Sequence, residues 1–212
     1  VIESAQGIIL RTRPLTDTSL IVHWLTPELG RVATVAKGAR RPKSPFAGKL
    51  DFAYTADFTF HRSRRSELHI LREVALRETH PHLREQLLAL QQAAYAVSFI
   101  EQSTEPETSL PEIYAVYSGW LDWLGQAGPG AVSLFAFELK LLAALGLQPD
   151  LAETALNPGA RQLAARLLDT DWPGLGALRL SGPQEQDLRQ FLHGYLIYHL
   201  GRLPHGRAAA LA

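Results

Sequence analysis

The sequence predicts an α+β protein: a small five-stranded β-barrel over residues 1–80, followed by an all-α part over residues 81–212. Three observations carry this expectation. The first 80 residues hold short apolar runs separated by turn residues, with no long helical period between them. From His82 onward, apolar residues recur at three- and four-residue spacing. Pro81 stands where the character changes.

Residues 7–12, 19–26 and 31–37 are rich in Ile, Val, Leu and Thr, which fit a pleated, half-buried surface. Pro14-Leu15-Thr16-Asp17 and Pro27-Glu28-Leu29-Gly30 divide them as turns. From Phe52 the alternation is explicit, with Phe52, Tyr54, Ala56, Phe58 and Phe60 on one face and Asp57 and Thr59 on the other. A polar turn over residues 63–66 leads into a fifth strand over 68–76. Five short strands suit a closed or partly open barrel, and the oligonucleotide-binding (OB) barrel is the five-stranded version. Helices are expected over 82–102, with Leu83, Leu87, Leu88, Leu90, Ala94, Val97 and Ile100 on one face, and over 111–124, 133–146 and 160–168. Glu105-Pro106-Glu107 interrupts the first two, and Gly146 suits a left-handed helix end. A last helix runs from Ser181 to about Leu200, opened by a capping box of Ser181 and Gln184.

A chain of 212 residues with 46% hydrophobic content can bury a substantial core in two domains. No apolar run approaches the roughly 18–20 residues needed to span a bilayer, and the first residues do not read as a leader. The expectation is a cytoplasmic protein. Cysteine is absent, which removes disulfides, thiol catalysis and Cys-based zinc sites. Methionine is absent even at the first position, so the chain is expected to begin after the natural start. The formal net charge of zero hides an uneven distribution. Residues 1–80 hold 13 Lys and Arg against 8 Asp and Glu, a net of +5, and residues 81–212 carry the opposite net of −5. Such asymmetry points to a polyanion partner for the first part and a different task for the second.

A search for chemistry comes back mostly empty. None of the eight histidines has zinc-type spacing, so no metal site is expected. There is no Walker-type loop and no Gly-x-Ser-x-Gly, and Glu105 and Glu107 flank a proline in a loop. What remains is basic. Lys37, Arg40, Arg41 and Lys43 fall within seven residues of a loop punctuated by Gly38 and Pro42. Arg31, Lys49, Arg62, Arg64 and Arg65 extend the cationic stretch, against only Asp51 and Asp57. Two readings stay open: a solvated basic loop, or a surface for phosphates. The aromatics of the fourth strand either fill the barrel or stack bases, and filling is the stronger reading for Phe52, Phe58 and Phe60.

Four stretches of the amino-terminal part stand out together: Gly7-Ile-Ile-Leu-Arg11-Thr-Arg13, Asp17-Thr-Ser-Leu-Ile-Val, Leu25-Thr-Pro-Glu-Leu-Gly30 and Val35-Ala-Lys37-Gly38-Ala-Arg40-Arg41-Pro42. They resemble the RecO family of bacterial DNA-repair and recombination mediators. Phe137-Glu138-Leu139 within a helix and Tyr195-Leu-Ile-Tyr198-His199-Leu-Gly201 continue the likeness. The resemblance implies an OB domain that binds single- and double-stranded DNA and a helical domain. It also implies annealing of complementary strands, and cooperation with RecR in loading RecA onto DNA coated by single-stranded-DNA-binding protein (SSB). It implies no turnover of a substrate and no cofactor. Many relatives carry a four-cysteine zinc module after the Phe-Glu-Leu helix, whereas residues 148–159 here hold neither Cys nor His. A zinc-free version is expected, with the module degenerate or absent around 148–180.

The expected DNA contacts are Arg11, Arg13, Arg31, Lys37, Arg40, Arg41, Lys43, Lys49, Arg62, Arg64 and Arg65. For the acidic SSB tail the candidates are Phe135, Phe137, Leu141 and Leu145 as an apolar groove, edged by Lys140 and by Arg161 or Arg166. Ordinary core is the competing reading of those phenylalanines. Lys140 at an exposed groove edge implies that Lys140→Glu costs less than about 1 kcal/mol. Two other functions remain in view: an RNA- or ribosome-associated OB protein, since phosphate contacts do not separate RNA from DNA, and a nuclease, which needs a carboxylate cluster for metal.

Overall fold

The structure, a computed structural model, describes residues 1–212 and divides into two compact units. Val1–His80 and Thr104–Tyr114 form a strand unit, and Pro81–Ser103 and Ala115–Ala212 form a helical unit.

The strand unit comprises β1 (Ile2–Pro14), β2 (Leu20–Thr26), β3 (Gly30–Ala36), β4 (Thr55–His61) and β5 (Leu68–Glu78). They close a barrel in the order β1-β2-β3-β5-β4. Every neighbouring pair is antiparallel except β3 and β5, which run parallel where Ala33, Thr34 and Val35 face Leu68, His69 and Ile70. This is the OB arrangement expected from the sequence. Period-two alternation turns Val22, Trp24, Val32, Ala36, Phe58 and Phe60 into the barrel. Trp24 stacks on Phe58 at 4.1 Å, and its indole N–H donates to Thr34 Oγ1 at 2.9 Å, so the buried donor is satisfied.

The fourth strand begins at Thr55, not at Phe52. Ala53 adopts a left-handed φ of 61° and is pinned between Ile9 and the barrel, its N–H donating to the Ile9 carbonyl at 2.8 Å. That turn takes Phe52 out of the alternating face and leaves it half-buried outside the core. The long β3–β4 loop covers the barrel instead, inserting Phe46 into the core.

Thr104–Tyr114 belongs with the strands, although the sequence pattern assigns it to the helical part. Arg31 reaches it with Nε on Thr104 Oγ1 at 2.8 Å and Nη2 on the Thr104 carbonyl at 2.6 Å. The Glu107 N–H donates to the Arg31 carbonyl, and the Leu110 N–H to the Pro27 carbonyl. Gly30 makes this strap possible. Its φ is 66°, and a Cβ there would stand 1.8 Å from the Thr108 carbonyl oxygen.

The helical unit holds α1 (His82–Glu85) and α2 (Leu87–Ser103) where the sequence suggested one helix. Gln86 is extended, and this break shifts the phase. Ala89, Ala93, Ala96 and Ile100 face the core, while Leu87 is 71% exposed and Ala94 is also exposed. The remaining helices are α3 (Pro111–Ala127), which starts within the strap, α4 (Ala131–Ala144), α5 (Pro158–Asp169), α6 (Gly182–Leu200) and α7 (Arg207–Ala210). Gly146, at φ 72°, ends α4 in a Schellman motif: its N–H donates to the Ala143 carbonyl, and that of Leu147 to Leu142. Ser181 and Gln184 cap α6 reciprocally. α7 is locked by Arg207, whose guanidinium grips the fully buried Glu138 at 2.7 and 3.0 Å while Tyr95 donates its hydroxyl to the same carboxylate at 2.5 Å.

Candidate nucleic-acid interface

β1 ends, β2 begins and β3 ends at the same side of the barrel, because Pro14 pairs with Leu20 and Leu20 with Ala36. The β1–β2 loop therefore lies beside the start of the β3–β4 loop. Hydrogen bonds hold them there: Arg40 N–H to the Thr18 carbonyl at 3.0 Å, Arg40 Nη1 to the Thr16 carbonyl at 3.3 Å, and Gly38 N–H to Ser19 Oγ at 3.4 Å. Gly38, at φ 71°, reverses the chain so that successive turns present Lys37, Arg40, Arg41 and Lys43 to solvent. Between the loops lies a depression of about 400 Å³, lined by Leu15, Thr16, Thr18, Ser19, Val35, Lys37, Gly38 and Arg41.

The cationic surface continues along the strands. Arg11 pairs with His23 and Arg13 with Ile21, and both arginines are exposed. Burial pushes the His23 imidazole down to about 4, and the charges of Arg11, Arg13 and Arg31 push it the same way. Arg11 and Arg13 are the exposed charges of this face of β1–β3. The arrangement joins the outer face of these strands to the β1–β2 loop, a region that OB barrels use for oligonucleotides.

The other expected contacts divide. Arg64 and Arg65 are exposed in the β4–β5 turn, beside a depression of about 460 Å³. Arg31 has its guanidinium on Thr104, as described above. Arg62 is held by Glu3 at 2.6 and 2.9 Å and by Glu107 at 2.8 Å. These two guanidiniums are occupied within the protein. Lys49 stands elsewhere, at a cleft of about 870 Å³ floored by Ala5, Leu29, Phe46, Phe58 and Val74. Arg72 lies at the same cleft and is not among the cations that the sequence pattern picks out. It is the extra residue where the β4–β5 register slips between Thr59 and Phe60, and only that bulge distinguishes it from any strand arginine. No aromatic platform for bases forms on β4, because Phe58 and Phe60 are buried in the barrel core.

The expected groove for an acidic tail does not exist. Phe135, Phe137 and Leu141 are wholly buried, because the middle of α4 is surrounded on nearly every side and its apolar positions from Leu134 to Leu142 are all core. Leu145 is half-buried just beyond the helix. Lys140 does not edge a groove either: its ammonium donates to the Leu168 and Thr170 carbonyls, both at 2.7 Å, and lies 5.4 Å from the Trp172 ring centroid. It caps the carboxyl end of α5, where the helix dipole favours a cation. Arg161 likewise serves the carbonyls of Thr154 and Leu156. Arg166 alone of these cations is exposed. No group of three or more His, Asp or Glu side chains is placed to hold a metal ion, and no helix is long and apolar enough to cross a membrane.

Residues 2–80 match the family described as Recombination protein O N terminal, and residues 84–157 match Recombination protein O C terminal. The chain belongs to the RecO family. Among its relatives, the DNA repair protein RecO of Symbiobacterium thermophilum is 34% identical over 206 residues, covering 90% of this chain and 80% of the relative. The DNA repair protein RecO of Rhodopirellula baltica is 32% identical over 68% of this chain, and that of Bacillus subtilis 28% identical over 71%. The alignments span 53% and 58% of those two proteins, so this RecO-family chain corresponds to little more than half of them.

Proposed function

We propose that this chain is a DNA-binding recombination mediator that anneals complementary strands. In this reading it acts with RecR to load RecA on single strands coated by SSB, in the cytoplasm at the nucleoid, and binds rather than catalyses. The observation that carries the reading is the solvent-facing band of Arg13, Lys37, Arg40, Arg41 and Lys43 on an OB barrel of a family whose members are named DNA repair proteins. Guanidinium and ammonium groups in such a band grip phosphates and read little sequence, which suits annealing of arbitrary strands. SSB remains a proposed partner, through a surface other than α4.

The test replaces Arg40, Arg41 and Lys43 together with alanine. All three are exposed, so the fold should survive. Binding should weaken across sequences, and each lost phosphate contact should reduce the log–log salt slope by roughly 0.7–0.9. Annealing of bare and SSB-coated strands should fall in parallel. Unchanged affinity and slope in a folded triple variant would assign the loop to solvent, and tighter binding of RNA than DNA in direct competition would favour an RNA partner.

A further inference from the structure

The strap Thr104–Tyr114 brings three glutamates and no cation to the strand unit, so its net charge falls from +5 to +2. One of these glutamates lies against the β4–β5 turn. Glu107 places Oε2 2.8 Å from Arg62 Nη1, and Oε1 3.2 Å from His69 Nε2. Arg62 is oriented from behind by Glu3, which takes Nε and Nη2. Its remaining amine faces the strap.

His69 is the second observation. Its side chain is 2% exposed and stacked on Phe60 at 5.2 Å. Nδ1 accepts from the Ser63 N–H at 3.4 Å, so the proton of the neutral ring sits on Nε2. That N–H makes no aligned hydrogen bond, although Glu107 lies close by. Glu107 Oε1, 3.2 Å away, is the anion facing this N–H, so a phosphate oxygen that took the place of Glu107 would meet the same buried donor. Glu107 itself is held in a left-handed conformation, φ 51°, which a glutamate adopts only under constraint. Its ion pair with Arg62 is about one-third exposed on each side, and such pairs contribute little and exchange readily.

We propose that the β4–β5 turn is a second phosphate-binding site for DNA, formed by Arg62 Nη1, His69 Nε2–H, Arg64 and Arg65, and masked by Glu107 of the strap. The Glu107 carboxylate occupies the place of a phosphate: two anionic oxygens, one on a guanidinium and one beside an imidazole N–H. While it is there it also repels any phosphate approaching Arg64 and Arg65. Displacement of the strap exchanges one anion for another at Arg62 and opens the turn as a second binding surface, away from the Lys37–Lys43 loop.

This rests on the reading that the barrel binds DNA, and a double-mutant cycle separates the two. Oligothymidylate binding is titrated against salt for the wild type, Glu107→Gln, Arg64→Ala/Arg65→Ala, and all three substitutions together. Glu107→Gln keeps the shape of the strap and removes its charge. It should bind roughly two- to fivefold more tightly at low salt, with a slope steeper by about 0.7 for each further phosphate that the turn neutralises. Arg64→Ala/Arg65→Ala should change little in the wild-type background and abolish the increase in affinity in the Glu107→Gln background. Equal affinity of Glu107→Gln and wild type overturns the masking. So does an equal loss from Arg64→Ala/Arg65→Ala in both backgrounds, which would mean an open turn. Matched circular-dichroism melts show that each protein compared is folded. Loss of binding in the Lys37–Lys43 loop variant, alongside an unmoved Glu107→Gln, leaves the DNA reading standing and removes only this site.

Discussion

His23 links the stability of the barrel to the proposed binding of DNA. Its imidazole titrates near 4 in the folded chain and near 6.5 when unfolded, so between these values the unfolded chain holds the extra proton. The contribution of His23 to stability is therefore full above pH 6.5 and is lost as the pH falls through 4. A phosphate beside Arg11 and Arg13 would offset their charge and raise the His23 pKa, so DNA binding should take up protons. Burial keeps the bound value below 6.5, so affinity should increase as the pH falls toward about 4, and His23→Gln should remove most of that increase. Titrations of both proteins at several pH values check this, and parallel curves would refute it. Lys140 gives the opposite lesson. The sequence placed it at an exposed groove edge, where reversal of charge is cheap. Its two short bonds to carbonyls mean that Lys140→Glu leaves those oxygens facing a carboxylate. A loss of about 1.5–3 kcal/mol is expected, read by urea unfolding.

At the scale of elements, the strands and most helices were legible because each carries its own period and punctuation. Ser181 with Gln184, and Gly146 after an apolar run, are local signals that need no tertiary context. The departures occur where a distant partner decides. Nothing near Phe52 announces that Ala53 will turn left-handed against Ile9. Nothing in Glu105-Pro106-Glu107 announces that it will lie along Arg31, with which Pro106 forms a parallel bridge. The hint was on the other partner, at Gly30, which looks like an ordinary turn glycine. Gly30→Ala should test the strap directly. It forces a side chain into a left-handed φ and onto the Thr108 carbonyl, so strap and barrel cannot both stay in place. We expect a loss of about 2 kcal/mol or more and faster amide exchange at Glu107 and Leu110, whose N–H groups bond to Arg31 and Pro27. At the carboxyl end, Arg207→Ala should cost about 3–5 kcal/mol, because it strands the buried Glu138 carboxylate without its cation.

Across the whole molecule, the sequence counts charges but not their engagements, and this is where the candidate site was least legible. Eleven cations were expected to face DNA. Arg31 and Arg62 spend their donors on Thr104, Glu3 and Glu107, and no local pattern separates them from Arg40 or Arg41. The distinction has a measurable consequence, because only cations that meet phosphates release counterions. If all eleven did so, the log–log salt slope would be about −8 on single strands and about −10 on duplex. If the band of Arg13, Lys37, Arg40, Arg41 and Lys43 carries binding while the β4–β5 turn stays masked, the slopes are about −3.5 and about −4.5. The net charge of zero reinforces the smaller figure, since the molecule as a whole supplies no long-range attraction to a polyanion. Salt titrations of the wild-type protein on both forms of DNA should therefore give the shallow slopes. Steep ones would mean that Arg31 and Arg62 abandon their partners when DNA arrives.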